Sequence, residues 1–487
     1  MKKNTFFLFL FIISILNSCT DDKDSGLVNR PDIPENIKWI ENTMLKNYYW
    51  YKEIPATDKL DFTKEEEDFF TSLLCDSDGK DFIINGKKQH FYFSSIKKLS
   101  DLTKAATYSG EPEYSYGFEY TTIYTNQSHT TLQILVQYII DDSPAKESGL
   151  RRGDWITEID GKTITADDIT RISDGGSEMS LTIQRWNNNR RTYVTEPGKI
   201  NMPAARDVID NPVHKHKVIT TPGKRKKVGY LVYNHFTRGI SNNDYSYDNE
   251  LLSLSGATFD GIDEFVLDLR YNPGGHITSA ILLCAILAPA SALEKPFFYL
   301  QYNDKMSPKE TVYKAGREQL KSNGKNLNLS TLYVLVSSRS ASASELLINS
   351  LRPYMNVVLI GEQTLGKNVA SSIYTSNDNI WELSPIIARL YNSERSSDYD
   401  DGFSPDYVLS EAFTPTASNP NVVTLDEVRE LGDENEKLLR VALNLIDNTD
   451  AVVRSAIIEN APVYTIAPFN SLNRKFANGA IIEPLFQ

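Results

Sequence analysis

Residues 228–410 alternate strand-like apolar runs with helix-like segments and turns. The order is strand 228–236, strand 264–270, a glycine turn, helix 278–287, strand 332–336, helix 345–351 and strand 357–360. Strands that alternate with helices predict a largely parallel sheet covered by helices. This pattern predicts an α/β domain and limits the fold more than any other feature of the chain.

Two of these apolar runs lead into side chains that can perform chemistry. Ser342 follows the run 332–336, and Lys367 follows the run 357–360. A helix-like segment separates them, so the hydroxyl and the amine can meet at one edge of the sheet. A serine with a lysine as its base is a nucleophilic arrangement found on several unrelated folds.

A lysine base has to lose its charge before it can accept a proton. Lysine has a reference pKa of about 10.4 and is protonated at neutral pH. Burial disfavours the charged form, and Lys367 lies between apolar runs, so we expect a lowered pKa. Neutral Lys367 would then take the Ser342 proton, Ser342 would attack a peptide carbonyl, and water would release the acyl-enzyme.

Ser342 has two neighbours of the same type in the segment SASASE, residues 340–345. A strand that ends in a small-residue turn and opens a helix exposes its turn side chain and directs free backbone amides at the reaction site. Ser340 and Ser344 are the competing nucleophiles. Ser344, which Glu345 follows, can instead serve as a helix cap.

The oxyanion of an acyl-transfer intermediate needs two backbone donors. The amide of Ala343, next to the nucleophile, is one candidate. The turn Asn-Pro-Gly-Gly at 272–275 is the other, because glycine allows the backbone to approach a ligand closely. Gly274 is slightly preferred to Gly275, and both remain candidates.

Residues 109–198 alternate short strand-like runs with turns, which predicts a β-rich domain. The segment SPAKESGLRRGDWITEIDGKTI, which starts at Ser143, resembles a PDZ domain over its most distinctive turn and strand. The resemblance implies that Gly117 and Phe118 lie in the loop that holds a peptide C-terminal carboxylate while the peptide adds as a strand. A packed spacer without peptide affinity is the alternative.

The α/β region carries five segments in order: VGYLVYNHF, LDLRYNPGG, SSRSASASELL, VVLIGEQTLGK and GFSPDYVL. Together they resemble the C-terminal processing peptidases, which are serine peptidases with a lysine base, many with a PDZ-like region upstream. The resemblance implies that Ser342 is the nucleophile, Lys367 the base and the glycine turn part of the oxyanion site.

Ser371 stands where the family commonly has a glutamine that orients the base. The shorter serine leaves activity to the dyad alone, to Ser371 or to another residue.

The N-terminus has the features of an export signal. Two lysines precede the apolar run 6–16, which is too short to remain as a transmembrane helix. The following Leu-Asn-Ser-Cys resembles a lipobox, which implies a signal peptide over 1–18, a lipid on Cys19 and an acidic tether over 19–30. A cleaved secretory signal is the alternative. The lipid anchor would hold the protein in a bacterial cell envelope.

The length of 487 residues predicts several domains. We expect a small helical N-terminal region at 31–108, the PDZ-like domain at 109–198, the catalytic domain at 199–410 and a helical tail at 411–487. A helix at 433–447 is the clearest element of that tail.

The composition excludes some functions. The net charge of −13 argues against nucleic-acid binding, which needs a basic surface. Apart from Cys19, only Cys75 and Cys284 remain, and they give neither a disulfide framework nor metal-ligand spacing. The histidines show no helical pairing. We therefore expect no metal and no cofactor.

The sequence thus predicts a lipid-anchored serine endopeptidase of the bacterial envelope that acts on protein or peptide substrates, with a PDZ-like domain that recognises their C-termini. An inactive peptide-binding scaffold is one alternative, favoured only by Ser371. A hydrolase with His235 or His276 as base is another. The sequence does not determine the substrate or the oligomeric state.

Overall fold

A computed structural model describes residues 32–84, 87–99, 112–241, 243–321, 323–417, 419, 422–449, 462–471 and 480–482. The expected signal peptide and tether, with Cys19, lie outside these residues. Within these ranges, no helix combines the length and the apolar content that a membrane crossing requires. No cluster of His, Cys, Asp or Glu in the same ranges is arranged to hold a metal ion.

The N-terminal region combines helices with short strands. Its elements are α1 (Glu35–Asn47), α2 (Glu66–Thr71), β1 (Lys80–Ile84), β2 (Lys87–Phe91) and β3 (Ser95–Lys98). Helix α1 buries Ile37, Ile40 and Met44 on one face, as their helical spacing predicts. The strands are rich in charged residues and give no alternating apolar signal, so the sequence predicted only the helices.

The PDZ-like region is an antiparallel sheet with two short helices. Its elements are β4 (Glu113–Ser115), β5 (Phe118–Tyr124), β6 (Leu132–Ile139), α3 (Pro144–Ser148), β7 (Trp155–Ile159), β8 (Lys162–Thr163), α4 (Ala166–Asp174), β9 (Met179–Asn187), β10 (Thr192–Thr195), β11 (Ile200–Met202) and β12 (Arg206–Val208). Neighbouring strands run in the order β10-β9-β7-β6-β5. The turn after β7 has positive φ at both Asp160 and Gly161, as an Asp-Gly hairpin turn requires.

The α/β region contains two large sheets and contributes two strands to a third, smaller one. Its elements are β13 (Val213–Thr220), β14 (Lys227–Tyr233), α5 (Ser246–Gly256), β15 (Glu264–Asp268), α6 (Ile277–Leu287), β16 (Pro296–Tyr302), β17 (Glu310–Lys314), α7 (Arg317–Leu320), β18 (Thr331–Val336), α8 (Ala343–Leu351), β19 (Asn356–Gly361), β20 (Val369–Ser372), β21 (Tyr374–Thr375), β22 (Trp381–Ser384), β23 (Ile386–Asn392) and β24 (Tyr407–Val408). The first sheet has the order β13-β14-β15-β18-β19-β24 and is parallel from β14 to β24, so the predicted parallel sheet is confirmed. The N-terminal β3 pairs with β22.

Helices α6 and α8 lie between this sheet and the second one, in which β17, β16, β23 and β20 are neighbours. Helix α8 contacts β19 on one side and β16 and β23 on the other, and every one of its residues is buried. A helix enclosed on two sides needs apolar residues around most of its circumference. The site at its N-terminus is therefore set deep in the molecule.

The C-terminal region contains strands as well as the expected helix. Its elements are β25 (Phe413–Pro415), β26 (Val422–Leu425), α9 (Lys437–Asp447), β27 (Tyr464–Asn470) and β28 (Ala480–Ile482). The apolar stripe of α9 covers the outer face of the parallel sheet. β27 and β26 extend the PDZ-like sheet beyond β5, and β28 pairs with β20. Such short strands are determined by distant partners, so the sequence pattern alone predicted a helical tail.

Candidate active site

Ser342 lies at the junction between β18 and α8. Its backbone has φ 58° and ψ −110°, an uncommon conformation for a residue with a side chain. Such strain costs of order 1–3 kcal/mol and concentrates at functional sites. The side chain is buried, and Ala341 and Ala343 flank it with small side chains. The strand-to-helix turn therefore presents Ser342 at the start of a buried helix.

The neighbouring serines have structural partners. The Ser340 hydroxyl donates to the Leu269 carbonyl at 2.8 Å, and the Ser344 hydroxyl donates to the Asn272 carbonyl at 3.0 Å. Both bonds attach the turn to the end of β15. Of the three serines, Ser342 is the one in the strained backbone conformation.

Lys367 is 1% exposed. Its Nζ makes no hydrogen bond to any described residue and lies 4.8 Å from the centroid of the Phe93 ring. Burial lowers the pKa of the amine to about 8, although the carboxylates of Asp78 and Glu345 act in the opposite direction. At that pKa roughly a tenth of the amine is uncharged at pH 7. The site thus provides the desolvation that a lysine base needs, and in this conformation the amine is not hydrogen-bonded to Ser342.

Glu345 joins the two predicted catalytic residues through their backbones. Its Oε2 accepts the N–H of Ser342 at 2.9 Å and that of Lys367 at 2.8 Å. Its Oε1 accepts from the Thr364 hydroxyl at 2.6 Å and from the N–H of Gly366 at 2.7 Å. Burial raises the pKa of this carboxyl, whereas these four donors favour its charged form. The sequence analysis did not single out Glu345. The signal that could have found it is its position three residues after Ser342, the N-cap residue of α8, which is the spacing of a capping box.

The glycine turn lies directly against the nucleophile. Gly274 has φ 110°, and a Cβ added there would lie 2.8 Å from Ser342 Cβ and 3.0 Å from the Ala343 nitrogen. The Gly274 amide donates to Asn272 Oδ1 at 2.9 Å. Phe236 donates its N–H to the Gly274 carbonyl, and its own carbonyl accepts the N–H of His276. These two bonds form a parallel bridge between Phe236 and Gly275, and neither of them involves the Gly275 amide.

The predicted support residue, Ser371, and the two alternative bases, His235 and His276, lie in three different segments of the chain. Ser371 is buried in β20, where its backbone faces Ile386 and Ile481 in the neighbouring strands. His235 pairs its Nδ1 with Thr237 Oγ1 at 2.7 Å and its Nε2 with the Asp210 carbonyl at 3.1 Å. His276 follows the glycine turn and is half-buried.

The predicted peptide-binding residues lie at the start of β5. Gly117 has φ 77°, and a Cβ there would collide with Ser143 Cβ at 2.1 Å, so only glycine fits. The Phe118 side chain is buried in the core of the PDZ-like region. The edge of β5 away from β6 pairs with β27.

Three parts of the chain match the models of known protein families. Residues 227–409 match the model of peptidase family S41, residues 35–95 match the peptidase S41 N-terminal domain, and residues 135–185 match a PDZ domain. The probable CtpA-like serine protease of Staphylococcus saprophyticus is 26% identical over 371 residues, which are 72% of this chain and 66% of that protein. The carboxy-terminal-processing protease of Bartonella bacilliformis is 27% identical over 56% of this chain and 57% of that protein.

A solved structure is similar to this chain over most of its length. The crystal structure of a putative S41 protease from Bacteroides fragilis NCTC 9343 is 34% identical, covers 84% of this chain and 97% of that one, and superposes with a TM-score of 0.70. The chain belongs to peptidase family S41. The resemblance to serine peptidases of the C-terminal processing type is confirmed, as is the PDZ domain. Matched segments span 57% to 72% of the curated relatives' own length.

The S41 N-terminal domain forms part of the environment of Lys367. Asp78 is fully buried, and its Oδ1 accepts the backbone N–H groups of Phe93 at 3.1 Å and Ser94 at 3.0 Å. Its Oδ2 is buried and receives no hydrogen bond from the residues that the structure describes. Lys80 Nζ donates to the Leu365 carbonyl at 2.7 Å, which fixes the loop that leads to Lys367. Asp78 lies far from Lys367 in the chain, so sequence reasoning did not find it.

Replacement of Asp78 by asparagine is expected to shift the pH dependence of the S41 peptidase. The Asp78 carboxylate favours the charged amine, so its removal lowers the pKa of Lys367 further. The ascending limb of kcat/KM against pH should then move to lower pH, by up to about one unit. Hydrolysis of a fluorogenic peptide across pH 5–10 measures this shift.

Asp76→Asn is the matched control, because Asp76 lies in the same loop and is exposed. Its pH profile should equal that of the unmodified protein. An Asp78→Asn profile that stays in place or moves to higher pH would contradict the assigned influence of Asp78 on Lys367.

Proposed function

We propose that this S41 peptidase is a serine endopeptidase of the bacterial cell envelope that cleaves protein substrates with Ser342 and Lys367. The observation that carries the proposal is the carboxylate of Glu345, which binds the backbone of both residues within one buried site. The strained turn at Ser342 and the lowered pKa of Lys367 support the same assignment.

The reaction begins with uncharged Lys367. Its Nζ moves from the Phe93 ring to the Ser342 hydroxyl and takes the proton as Oγ attacks the scissile carbonyl. The ammonium then protonates the leaving amine, which leaves an acyl-enzyme. Water attacks the ester with Lys367 again as base, and the new carboxyl terminus departs. Catalytic hydrogen bonds are often absent before substrate binds, so the separation seen here fits a resting form.

The amides of Ala343 and Gly275 are the proposed oxyanion donors. The amide of Ala343 adjoins the nucleophile, and the glycine turn packs against it. Because the Gly274 amide already donates to Asn272, Gly274 contributes by lacking a side chain rather than by donating. Two donors in a buried site stabilise the developing negative charge more than they would in water.

Ser371 has a lesser role in this proposal. The family's orienting glutamine is absent, and Glu345 supplies a different means of orientation by fixing the backbone of the base. Ser371 remains a candidate support residue, since it is buried in the strand that follows Lys367.

We also propose the expected layout of the whole chain. Its parts are a signal peptide at 1–18, a tether at 19–30, the N-terminal domain at 31–108, the PDZ domain at 109–198, the catalytic domain at 199–410 and the tail at 411–487. The lipobox-like segment before Cys19 supports an anchor in the cell envelope. The PDZ domain supports protein or peptide substrates.

Cleavage of an unstructured substrate tests the activity. We expect the purified full-length protein to cut a casein-like protein into fragments that mass spectrometry detects, and Ser342→Ala to produce none. Ser344→Ala is the matched control, because it removes a hydroxyl of the same turn that donates to a backbone carbonyl, and it should keep cutting.

Two outcomes would contradict the proposal. An unmodified protein that cuts nothing indicates the peptide-binding scaffold. Cleavage that survives loss of Lys367 and disappears in His276→Ala or His235→Ala indicates a histidine base.

A further inference from the structure

The edge of the PDZ sheet is occupied by the chain's own C-terminal segment. β27 pairs antiparallel with β5, with Thr465 opposite Tyr124 and Asn470 opposite Thr121. β5 is the strand that begins at the predicted carboxylate loop, and peptides bind PDZ domains by adding a strand to a sheet edge. The segment at 464–471 therefore lies where the proposed function expects substrate.

The direction of this segment is also that of a bound peptide. Because β27 is antiparallel to β5 and advances from Tyr124 toward Thr121, its C-terminal end points to the Gly117 loop. A peptide whose carboxylate binds that loop would run the same way. The chain continues beyond this point, so the occupant is an internal strand and not a free C-terminus.

Side chains fix the segment in place. Ala467 is 5% exposed and belongs to the same buried apolar cluster as Tyr120 of β5 and Ile169 and Ile172 of α4. The Ser471 hydroxyl accepts the N–H of Tyr120 at 2.8 Å and donates to its carbonyl at 3.3 Å. The side chain of Ala467 is thus buried on one face of the segment. The Ser471 hydroxyl hydrogen-bonds to the backbone of β5 at the point where the pairing between β27 and β5 is irregular.

The opposite face of the segment is exposed at one residue. Ile466, next to Ala467 in β27, is 42% exposed, as the alternation of side chains in a strand requires. Recognition at this edge therefore depends on backbone pairing, on the small buried side chain of Ala467 and on the hydroxyl of Ser471. An extended polypeptide with alanine or serine at that position has the matching shape.

The C-terminal region also reaches the strand that follows the catalytic lysine. Residues 480–482 form β28, which pairs in parallel with β20 so that Ala480 lies opposite Ala370 and Ile481 opposite Ser371. One short stretch of chain thus contacts both the PDZ edge and the strand after Lys367.

We propose that the segment 464–471 is an intramolecular ligand of the PDZ domain, and that extended substrate segments bind by displacing it. The proposal rests on the proposed function, in which this domain receives substrate. It adds that the ligand class is an internal extended segment with a small residue at the Ala467 position. It also follows that the resting protein binds such segments weakly, because the occupied state has to open first.

Peptide binding tests the proposal without any need for catalysis. The probe is a fluorescent peptide with the sequence of residues 462–471, PVYTIAPFNS, measured by polarisation in the Ser342→Ala background. Ala467→Arg introduces a charged side chain at the buried position and should release the segment. We expect this variant to bind the probe at least about tenfold more tightly than the parent protein.

Two further variants complete the experiment. Ile466→Arg is the matched control, because it places the same charge on the exposed face, and it should bind like the parent. A chain that ends at residue 461 removes the segment together with Ala467, introduces no charged side chain into the PDZ core, and should bind as Ala467→Arg does.

The outcomes separate this proposal from the catalytic one. If neither Ala467→Arg nor the truncated chain gains affinity for the probe, the segment is a permanent part of the sheet and the inference is wrong. If both gain affinity while the protein with Ser342 cuts no substrate, the intramolecular ligand stands and the peptidase proposal fails.

Discussion

Replacement of Lys367 by methionine is expected to lower kcat/KM for a protein substrate by about 10³-fold or more near pH 8. Methionine has nearly the length of lysine and suits the buried site, but it has no atom that can take the Ser342 proton. Oxyanion donors and substrate binding remain, so a small residual rate above that in water is also expected.

The pKa of Lys367 determines the direction in which kcat/KM should change with pH. The amine of Lys367 has a pKa of about 8, so the unmodified protein should gain about tenfold in kcat/KM per pH unit below that value and level off above it. Because the ascending limb reports protonation of Lys367, it should disappear in Lys367→Met. Initial rates on a fluorogenic peptide between pH 5 and 10 measure both effects.

Lys97→Met is the matched control. Burial also lowers the pKa of Lys97, but this lysine lies in β3 and the nearby charge is Glu382. Its loss should leave the pH profile unchanged. A Lys367→Met protein that keeps more than a tenth of the activity with the same ascending limb would assign the base to another residue.

Replacement of Arg270 by methionine is expected to lower the free energy of unfolding by about 3–5 kcal/mol. Arg270 is 1% exposed and donates to Asp268 at 2.9 Å, to Glu436 at 2.7 Å and to Glu411 at 3.0 Å. Without the guanidinium, Glu411 and Glu436 keep Arg152 of the PDZ domain, at 2.7 Å and 4.0 Å, whereas the buried Asp268 loses its ion pair with Arg270. A loss of this size is a large part of the stability of a typical domain.

The midpoint of urea unfolding, followed by circular dichroism, measures this loss. Arg206→Met is the matched control, since Arg206 also binds one carboxylate with two nitrogens but is 42% exposed. It should cost at most about 1 kcal/mol. Equal losses in the two variants would contradict the importance of burial for this network.

The same network predicts acid sensitivity with a defined direction. Burial alone would raise the pKa of Glu411, but Arg152 and Arg270 lower it to about 2. A carboxyl with a lowered pKa stabilises the fold above its unfolded value of about 4.3, and this contribution is lost as the pH falls toward 2. Arg270→Met raises the pKa of Glu411, so its stability deficit should shrink as the pH falls.

The order of apolar runs was sufficient to predict the parallel sheet and the positions of Ser342 and Lys367. Strand β18 leads to the first and strand β19 to the second, and the two strands are adjacent and parallel. The carboxyl ends of parallel neighbours meet at one edge, and the backbones of the two residues lie close enough there for the Glu345 carboxylate to bind both. The small residues around Ser342 and the Gly-Gly turn gave further local signals.

The sequence by itself determined the domain order, the α/β core and the nucleophile and base candidates, because strand periodicity, glycine turns and helix starts are local properties of the chain. Tertiary structure alone decided which groups surround Lys367 and what covers the PDZ edge. Asp78 and Phe93 come from the N-terminal domain and Ala467 from the C-terminal segment, and contacts between such distant residues follow from burial and backbone pairing, which leave no periodic pattern in the sequence.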